Sequence, residues 1–485
     1  MIYAISITTT NHTSSTLPHW IITLTETAFS TLKLHTDLLE NLSSLGYEEM
    51  TPIQAESLPP ILAGKDIIAQ GQTGSGKTAA FGLGLLEKLE VKRFRIQSLV
   101  LCPTRELADQ VAKEIRRLAR SVHNIKVLTL CGGMPFGPQI GSLEHGAHII
   151  VGTPGRIEEH LAKKTLKLND LNTLVLDEAD RMLEMGFQSA LDAIIEQMPE
   201  QRQTLLFSAT FPEQIKSIAK RIMHNPVMVA VTSTHDDSSI EQHFYKVHDD
   251  EERMIALRLL LLQHRPESAV VFCNTKRETQ EVADDLADDG FSVLALHGDL
   301  EQRDRDQTLV RFANKSVSVL VATDVAARGL DIDALDLVIN YHIARDTEVH
   351  THRIGRTGRA GSKGIACSLY SDKEHYKVAL LGDYLDRIIE GEALPPPGLL
   401  DETPNRPEMA TIQIDGGKKQ KVRPGDILGA LTGKNGITGK QVGKIHIFEN
   451  WAYVAIDKKV IRSALKKLAD GKLKGRSFRV RQLGS

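Results

Sequence analysis

Two short segments of the chain combine residue types whose spacing suits chemistry on phosphate groups. The first, residues 71–78, reads G-Q-T-G-S-G-K-T and directly follows the apolar run 67–69. A strand, a glycine-rich turn and a helix start in this order wrap backbone N–H groups around phosphate oxygens. In the second segment, Asp177 and Glu178 follow the apolar run 174–176. One carboxylate can hold a metal ion while its neighbour orients a water molecule, so the two segments together indicate hydrolysis of a nucleoside triphosphate.

Each polar residue in these segments has a predicted task. Lys77 should reach the β- and γ-phosphates of the nucleotide, and the hydroxyl of Thr78 should bind Mg²⁺. Asp177 would bind the same ion directly or through water, and Glu178 would align and partly deprotonate the attacking water. The alternative is that the two carboxylates only cap the following helix. The residues predicted to surround the nucleotide phosphates are Gly71, Gln72, Thr73, Gly74, Ser75, Gly76, Lys77 and Thr78.

A third segment supplies positive charge. Residues 352–359 read H-R-I-G-R-T-G-R. Arginines spaced by three, with glycine between them, place guanidinium groups on one side of a turn. We predict that Arg356 and Arg359 stabilise charge on the phosphate oxygens in the transition state. If they act across a gap between two domains, hydrolysis requires those domains to close. The alternative is a surface arginine cluster that binds phosphate of any kind.

Short apolar strands that alternate with helical patterns predict two α/β domains in tandem. Their near-continuous apolar runs suit parallel sheets covered on both faces. We place the first domain at residues 26–231, a polar linker at 232–239 and the second domain at 240–390. The predicted strands are residues 67–68, 99–101, 149–151, 174–176 and 205–207 in the first domain, and 269–272, 293–296, 317–321 and 337–339 in the second.

A smaller domain is predicted at the C-terminal end. The proline-rich residues 391–408 should form a stiff, extended linker. Residues 409–485 then give the order strand, helix, hairpin, helix, strand, which fits a βαββαβ sandwich in which Asp457 caps the second helix. The strands are predicted at residues 411–414, 444–448, 451–456 and 477–480.

The net charge of −3 conceals a strong asymmetry along the chain. Residues 405–485 contain 18 Lys and Arg but only 6 Asp and Glu, a net charge of +12 that leaves −15 for the remainder. Such an excess predicts a nucleic-acid footprint, and the alternative is an ordinary solvated basic face.

Length and composition narrow the class of protein further. A chain of 485 residues is too long for one core, so two to four domains are expected. The four cysteines have no metal-type spacing and indicate a reducing compartment. No apolar run approaches the roughly 20 residues of a membrane span. Residues 1–25 lack the basic start and apolar core of a secretory signal. We expect either a disordered extension or a translation start placed too early, on a cytoplasmic protein.

With these motifs in place, the chain from Phe29 to about residue 390 resembles the DEAD-box RNA helicases, whose name-giving letters are residues 177–180. The resemblance implies two RecA-like domains that use ATP and Mg²⁺ to separate short RNA duplexes. It also implies an adenine site at Phe29, Tyr47 and Gln54, in which the Gln54 amide bonds the adenine edge.

The same resemblance assigns roles in the cleft between the domains. The hydroxyls of Ser208 and Thr210 would tie Asp180 to His352 across the cleft, and Asp331 would hold the ribose. Small residues, hydroxyls and single arginines suit a sugar–phosphate backbone rather than base edges. The RNA contacts implied for the two domains are Thr104, Arg105, Gly132, Gly133, Thr153, Pro154, Gly155, Arg156, Asn274, Gln302, Arg305 and Thr323.

A basic, RRM-like domain after this core resembles the DbpA subfamily of bacterial DEAD-box proteins, which implies a role in large-ribosomal-subunit assembly. The domain would bind a ribosomal RNA hairpin and tether the protein, which we expect to be a monomer, to pre-ribosomal particles. Ile412 and Ile414 occupy the first strand, where RRM domains usually carry stacking aromatics, so Phe448, Trp451 and Tyr453 or the loops and helix flanks are the candidate surfaces. The candidate basic contacts are Lys418, Lys419, Lys421, Arg423, Lys434, Lys440, Lys444, Arg476, Arg479 and Arg481.

Three rival functions are compatible with parts of this pattern. A DNA-directed motor would be stimulated by DNA of equal sequence. A non-catalytic clamp would bind ATP and RNA without releasing phosphate. A tail that only keeps the core soluble could be deleted without loss of RNA preference.

Overall fold

A computed structural model of the chain describes residues 27–71, 74–231, 240–327, 335–358, 363–434 and 436–484. The predicted extension at residues 1–25 and the predicted linker at 232–239 lie outside these residues. The predicted site residues Gln72, Thr73, Asp331 and Arg359 lie outside them as well.

The first domain, lobe 1, is built on a parallel sheet of seven strands in the order β3-β4-β2-β5-β6-β1-β7. Its strands are β1 (Ile67–Gln70), β2 (Ser98–Leu101), β3 (Val127–Leu130), β4 (Ile149–Gly152), β5 (Thr173–Asp177), β6 (Gln203–Ser208) and β7 (Val227–Ala230). Its helices are α1 (Thr36–Ser44), α2 (Pro52–Leu62), α3 (Lys77–Glu87), α4 (Arg105–Leu118), α5 (Phe136–Glu144), α6 (Pro154–Ala162), α7 (Ala179–Glu184), α8 (Gln188–Ile195) and α9 (Glu213–Ile222). Apolar side chains form one core on each face of the sheet, as expected for buried parallel strands.

The second domain, lobe 2, has a six-stranded parallel sheet in the order β10-β11-β9-β12-β13-β8. Its strands are β8 (Ile240–Lys246), β9 (Ala269–Cys273), β10 (Val293–Leu296), β11 (Val319–Thr323), β12 (Leu337–Asn340) and β13 (Gly364–Tyr370). Its helices are α10 (Asp250–His264), α11 (Lys276–Asp288), α12 (Gln302–Ala313), α13 (Asp324–Ala327), α14 (Thr347–Ile354) and α15 (His375–Tyr384).

The C-terminal domain, called the tail domain below, has an antiparallel sheet in the order β15-β16-β14-β17. Its elements follow the predicted βαββαβ order. They are β14 (Met409–Ile414), α16 (Pro424–Thr432), β15 (Val442–Ile447), β16 (Ala452–Asp457), α17 (Ile461–Asp470) and β17 (Val480–Gln482). Asp457 caps a short 3-10 turn that leads into α17, by accepting a bond from the Lys459 N–H (2.8 Å).

The predicted fold class, two parallel-sheet α/β domains followed by a small α+β domain, is confirmed. Four strands were missed, namely β3, β7, β8 and β13. Three of them are sheet edges, where one side of the strand carries polar or half-exposed residues, and β13 is rich in small residues. The last strand was placed too early at 477–480, because pairing with β14 begins only at Val480.

The proline-rich stretch is not extended throughout. Pro397–Asp401 forms a 3-10 turn, and Arg265 at the end of α10 forms an ion pair with Glu402 (2.9 Å). No helix in the described part of the chain is both long and apolar enough to span a membrane.

Candidate nucleotide site and RNA interface

The glycine-rich segment forms the turn between β1 and α3. Gly74 and Gly76 have φ values of +86° and +96°, a region that glycine adopts without steric cost. Lys77 begins α3, and its Nζ donates a hydrogen bond to the Gly71 carbonyl (2.6 Å). The ammonium group therefore lies inside the turn whose N–H groups are predicted to bind phosphate.

Beside this turn is a cavity of about 780 Å³, lined by Tyr47, Gln54, Lys77 and Thr78 among others. Gln54 also braces the turn: its Nε2 donates to the Gly76 carbonyl (3.0 Å), and its Oε1 accepts from the N–H of Thr51 (2.9 Å). Gln54, which is predicted to bond adenine, is therefore also hydrogen-bonded to the turn that is predicted to bind the phosphates.

The aromatic prediction needs a correction. Phe29 is 2% exposed and does not line the cavity. Its ring packs edge-on against Tyr47, with ring centroids 5.9 Å apart, and the Tyr47 hydroxyl donates to Glu114 (2.8 Å). Phe29 therefore supports Tyr47 from behind, because burial in the lobe 1 core keeps it away from the cavity.

Asp177 and Glu178 lie on the floor of the same cavity, at the end of β5. Burial raises the pKa of Asp177 to about 7, with Glu178 adding to the rise and Lys77 opposing it. The Asp177 Oδ1 is buried and has no hydrogen-bond partner among the described residues. Such an oxygen, close to Lys77 and the Thr78 hydroxyl, fits a hard cation such as Mg²⁺, which binds carboxylate and hydroxyl oxygens.

Glu178 is held in an unusual backbone conformation. Its φ and ψ of +51° and +52° lie in the left-handed region, which is uncommon for a residue with a Cβ. It is the N-cap residue of α7 but makes no side-chain capping bond. Burial opposes its ionisation, yet the charges of Arg181, Lys77 and Arg356 hold the pKa of Glu178 below its usual value. A carboxylate that is charged and makes no capping bond favours the catalytic interpretation over the capping one.

The cleft between the lobes brings together most of the residues predicted to couple them. The Asp180 carboxylate accepts bonds from the Thr210 N–H and hydroxyl (both 2.9 Å), and the Asp180 N–H donates to the Ser208 hydroxyl (3.3 Å). The described hydrogen bond to His352 comes from Arg181 and not from either hydroxyl. Arg181 therefore makes the predicted link across the cleft, and sequence reasoning gave it no role.

Arg356 lies in this cleft, is 6% exposed, and lines a small cavity with Asp180, Thr210 and His352. Its neighbour Arg353 has a different environment: the guanidinium forks around Asp324 (2.6 and 2.8 Å) and also donates to Asn274. Arg353 thus holds lobe 2 together internally. The letters H-R-I-G-R alone do not distinguish these two arginines.

Three of the predicted RNA contacts meet at the junction between the lobes, close to the nucleotide cleft. Arg305 of lobe 2 forms an ion pair with Glu106 of lobe 1 (3.1 Å), and Gln302 donates to the same carboxylate (3.3 Å). Arg105 lies 3.8 Å from Asp306 across the same junction. These side chains are therefore bound to the opposite lobe in this arrangement.

The remaining predicted RNA contacts on the lobes are spread over two helix starts, two loops and a strand end. Thr104 caps α4, and Thr153 with Pro154 begins α6. Gly132 and Gly155 have open space where a Cβ would stand, and Gly133 adjoins Gln302. The Arg156 guanidinium donates to Gln139 (3.0 Å) and forms an ion pair with Glu159 (3.1 Å). The Asn274 side chain accepts a hydrogen bond from Arg353. Thr323 is the last residue of β11.

The outer face of the tail sheet packs against lobe 2. The Thr411 Oγ1 lies 2.7 Å from the Ser316 hydroxyl and accepts from the Asn314 amide (3.1 Å). Gln307 reaches Gln413 (3.4 Å). Thr411 and Gln413 are 1% and 2% exposed, so this face is covered.

The aromatics of the tail domain do not form an open stacking surface. Ile412 and Ile414 point into the tail core, away from the covered face, and Tyr453 is fully buried. The guanidinium of Arg303 from lobe 2 lies 5.4 Å from the Trp451 ring centre. All ten predicted basic contacts of the tail, from Lys418 to Arg481, are exposed. The open RNA-compatible surface of the tail domain is therefore made of its loops and helix flanks, together with Lys444 on β15 and Arg481 on β17.

Comparisons with known proteins agree with this architecture. Residues 51–218 match the DEAD/DEAH box helicase family and residues 252–361 match the helicase conserved C-terminal domain. A structure of Dbp5 from S. cerevisiae bound to RNA and ADP BeF3 is similar to this chain, with a TM-score of 0.69 and 30% identity. The similarity covers 76% of this chain and 96% of that one. The chain belongs to the DEAD-box ATP-dependent RNA helicases.

The tail domain and the full-length comparison narrow the assignment. Residues 411–482 match the DbpA RNA binding domain. The chain is 56% identical over 458 residues to the ATP-dependent RNA helicase DbpA of Escherichia coli (strain K12), across 94% of this chain and 100% of that protein. The helicase CshA of Geobacillus kaustophilus (strain HTA426) is 45% identical over 349 residues, 72% of this chain and 74% of that protein. The resemblance to the DbpA subfamily is thereby confirmed.

Proposed function

We propose that this RNA helicase requires Mg²⁺ and that its tail domain directs it to a hairpin of large-subunit ribosomal RNA during ribosome assembly. We further propose that it acts as a monomer in the cytoplasm. The observation that carries the targeting proposal is the tail domain itself, which presents exposed basic loops while its sheet face is fixed to lobe 2.

The nucleotide cavity supports a specific division of labour. Thr78 and Asp177 would hold Mg²⁺, which neutralises charge on the transferred phosphoryl group. Lys77 would bind the β- and γ-phosphates, Glu178 would align the attacking water, and Arg356 would reach the γ-phosphate from lobe 2. Because these groups come from both lobes, hydrolysis requires closure, and closure is the step that bends bound RNA and displaces its partner strand.

Tethering explains how a core that grips the RNA backbone acts at one place. The tail would bind its hairpin by charge and shape, and the lobes would then meet nearby duplexes at a high effective concentration. Because the sheet face is covered, recognition falls to the loops around Lys418, Arg423 and Lys440 and to the flanks of α17.

Hydrolysis is tested with Lys77→Ala and Glu178→Gln in the full-length protein. Both variants should lose RNA-stimulated phosphate release and unwinding, and both should still bind RNA through the tail. Unwinding by Glu178→Gln at the wild-type rate over many turnovers would falsify its assigned role. A wild-type protein that binds ATP and RNA without releasing phosphate would instead be a clamp.

Targeting is tested by ATPase rates against a panel of ribosomal RNA fragments, with a DNA copy of each fragment as a control. One large-subunit hairpin should stimulate strongly, and residues 1–400 alone should respond weakly and without preference. Equal responses to all fragments, or a preference that survives removal of residues 405–485, would contradict the proposal. Stimulation by DNA alone would indicate a DNA-directed motor.

A further inference from the structure

Arg181 follows the D-E-A-D segment directly and lies in the first turn of α7. It is 4% exposed and lines the cavity between the two lobes. Its Nε lies 3.4 Å from the Glu178 Oε2 on its own lobe, and its Nη2 contacts the Nδ1 of His352 on lobe 2. One planar guanidinium therefore touches a group on each side of the cleft.

The protonation state of His352 makes this contact directional. Burial, assisted by the charge of Arg181, lowers the pKa of His352 to about 3, so the ring is neutral at physiological pH. A neutral ring whose Nδ1 accepts a bond carries its proton on Nε2. The cation in the contact is therefore Arg181, which donates a hydrogen bond to His352 and forms an ion pair with Glu178.

We propose that Arg181 is a positioning residue that makes the alignment of Glu178 depend on closure of the lobes. The proposal rests on the water-aligning role given to Glu178 under the proposed function. When the lobes meet, His352 fixes one edge of the guanidinium and the guanidinium fixes the carboxylate. When they separate, Arg181 loses its bond to His352, so the guanidinium and the carboxylate paired with it are no longer held in one position and the attacking water is poorly aligned.

The shape of the side chain is essential to this role. A guanidinium holds two partners in a rigid fork, whereas the ammonium of lysine is a point charge on a flexible stem. Small displacements of a catalytic group matter, since a shift of about 1 Å can reduce a rate by about 100-fold. Lysine at this position keeps the charge but not the alignment.

The test measures RNA-stimulated ATPase kinetics in the full-length protein. Arg181→Met should lower kcat by roughly tenfold while the KM for ATP stays within about twofold, the pattern of a lost transition-state interaction. Arg181→Lys should restore only a small part of that loss. A matched control is Arg221→Met, which removes an arginine that pairs with Asp192 on the outer surface of lobe 1. It should match the wild type.

A double-mutant cycle separates alignment from general damage. His352→Phe removes the acceptor and keeps a ring, and combining it with Arg181→Met should cost no more than the worse single change. The proposal would be overturned if the losses in kcat of the two single variants multiplied in the double variant. It would also be overturned if Arg181→Lys restored the full kcat, or if Arg181→Met left kcat unchanged or raised it. Glu178→Gln, measured in parallel, distinguishes the proposed role of Glu178 from the proposed role of Arg181. If Glu178→Gln hydrolyses ATP at the wild-type rate, the proposed role of Glu178 fails. If it is inactive and Arg181→Met is normal, only the link through Arg181 fails.

Discussion

Lobe 2 meets the rest of the molecule at two junctions of opposite chemistry. The junction with lobe 1 is made mostly of half-buried charged groups, together with the contact between the Arg181 cation and the neutral His352 ring. The junction with the tail domain is made mostly of neutral hydrogen-bonding groups that are buried. The pairs facing lobe 1 are Arg305–Glu106, Arg105–Asp306 and Arg181–His352. The pairs facing the tail are Asn314–Thr411, Ser316–Thr411, Gln307–Gln413 and His446–Asn314.

This difference indicates which junction moves. Charged pairs near solvent can exchange their partner for water, salt or RNA phosphate, so they suit a contact that opens and closes. A buried neutral group that loses its partner bears a desolvation cost of about 1–3 kcal/mol, and salt does little to change it. We therefore expect the lobes to separate while the tail domain stays attached to lobe 2.

The largest expected effect is at the tail junction. Thr411→Val keeps the shape of the side chain but removes the oxygen that serves both Asn314 and Ser316. Docking of the tail should weaken by about 1–3 kcal/mol, because the buried Asn314 amide loses its acceptor and the Ser316 hydroxyl loses one hydrogen-bond partner. The measurement is energy transfer between dyes on lobe 2 and on the tail, repeated over a salt series. The loss should be the same at every salt concentration.

Thr432→Val is the matched control, since Thr432 is an exposed threonine of α16 that bonds only the carbonyl of Leu428 among the described residues. It should leave docking unchanged. Equal losses in both variants would mean that the effect arises within the tail domain, and a salt-dependent loss at Thr411 would remove the distinction between the two junctions.

A smaller, salt-dependent effect is expected at the lobe junction. Glu106→Gln removes the charge that Arg305 meets at 3.1 Å while keeping an amide oxygen for Gln302. Closure with RNA and a non-hydrolysable ATP analogue should weaken by about 1 kcal/mol at low salt and by less at high salt, because the pair is only partly buried. Energy transfer between dyes on the two lobes measures it. Asp170→Asn, which loses an ion pair with Arg93 within lobe 1, should close normally.

The sequence predicts most of this architecture for a physical reason. The residue types and spacing within 71–78 and 177–178 are enough to indicate their chemistry. Each segment follows an apolar strand, and both strands pair in parallel with β6, so the two segments lie at the same end of the sheet. The buried strands were found from their apolar runs. The edge strands β3, β7 and β8 were missed because half-exposed strands lack that pattern.

What the sequence could not give depends on partners distant in the chain. Arg181 acquires its place from His352, 171 residues later, and no local pattern marks that pairing. Thr411 and Gln413 alternate with apolar residues, which is the pattern of a strand with one solvent-exposed face. Only the packing of lobe 2 against this face shows that it is covered. The resemblance predicts Phe29 in the nucleotide cavity, and its burial in the lobe 1 core behind Tyr47 keeps it away from that cavity.

The smallest effect concerns His446, the one histidine described at the tail junction, whose Nε2 lies 3.2 Å from the Asn314 Oδ1. Burial lowers the pKa of His446, and the charges of Lys444 and of Lys113 on lobe 1 lower it further. A folded-state pKa below the value of about 6.5 for an exposed histidine means that docking is fully stable above that pH and weakens as the pH falls toward the folded value. Docking should therefore weaken on acidification, because protonation places a charge in this buried junction.

His446→Gln should remove this pH dependence, because the glutamine amide can still donate to Asn314 but does not titrate. His375→Gln, on the exposed surface of α15, should keep the wild-type decline. The tail-docking assay run from neutral to mildly acidic pH distinguishes the two. If the wild type does not weaken at all, the ring is already accommodated as a cation, and the tail junction tolerates charge as well as the lobe junction does.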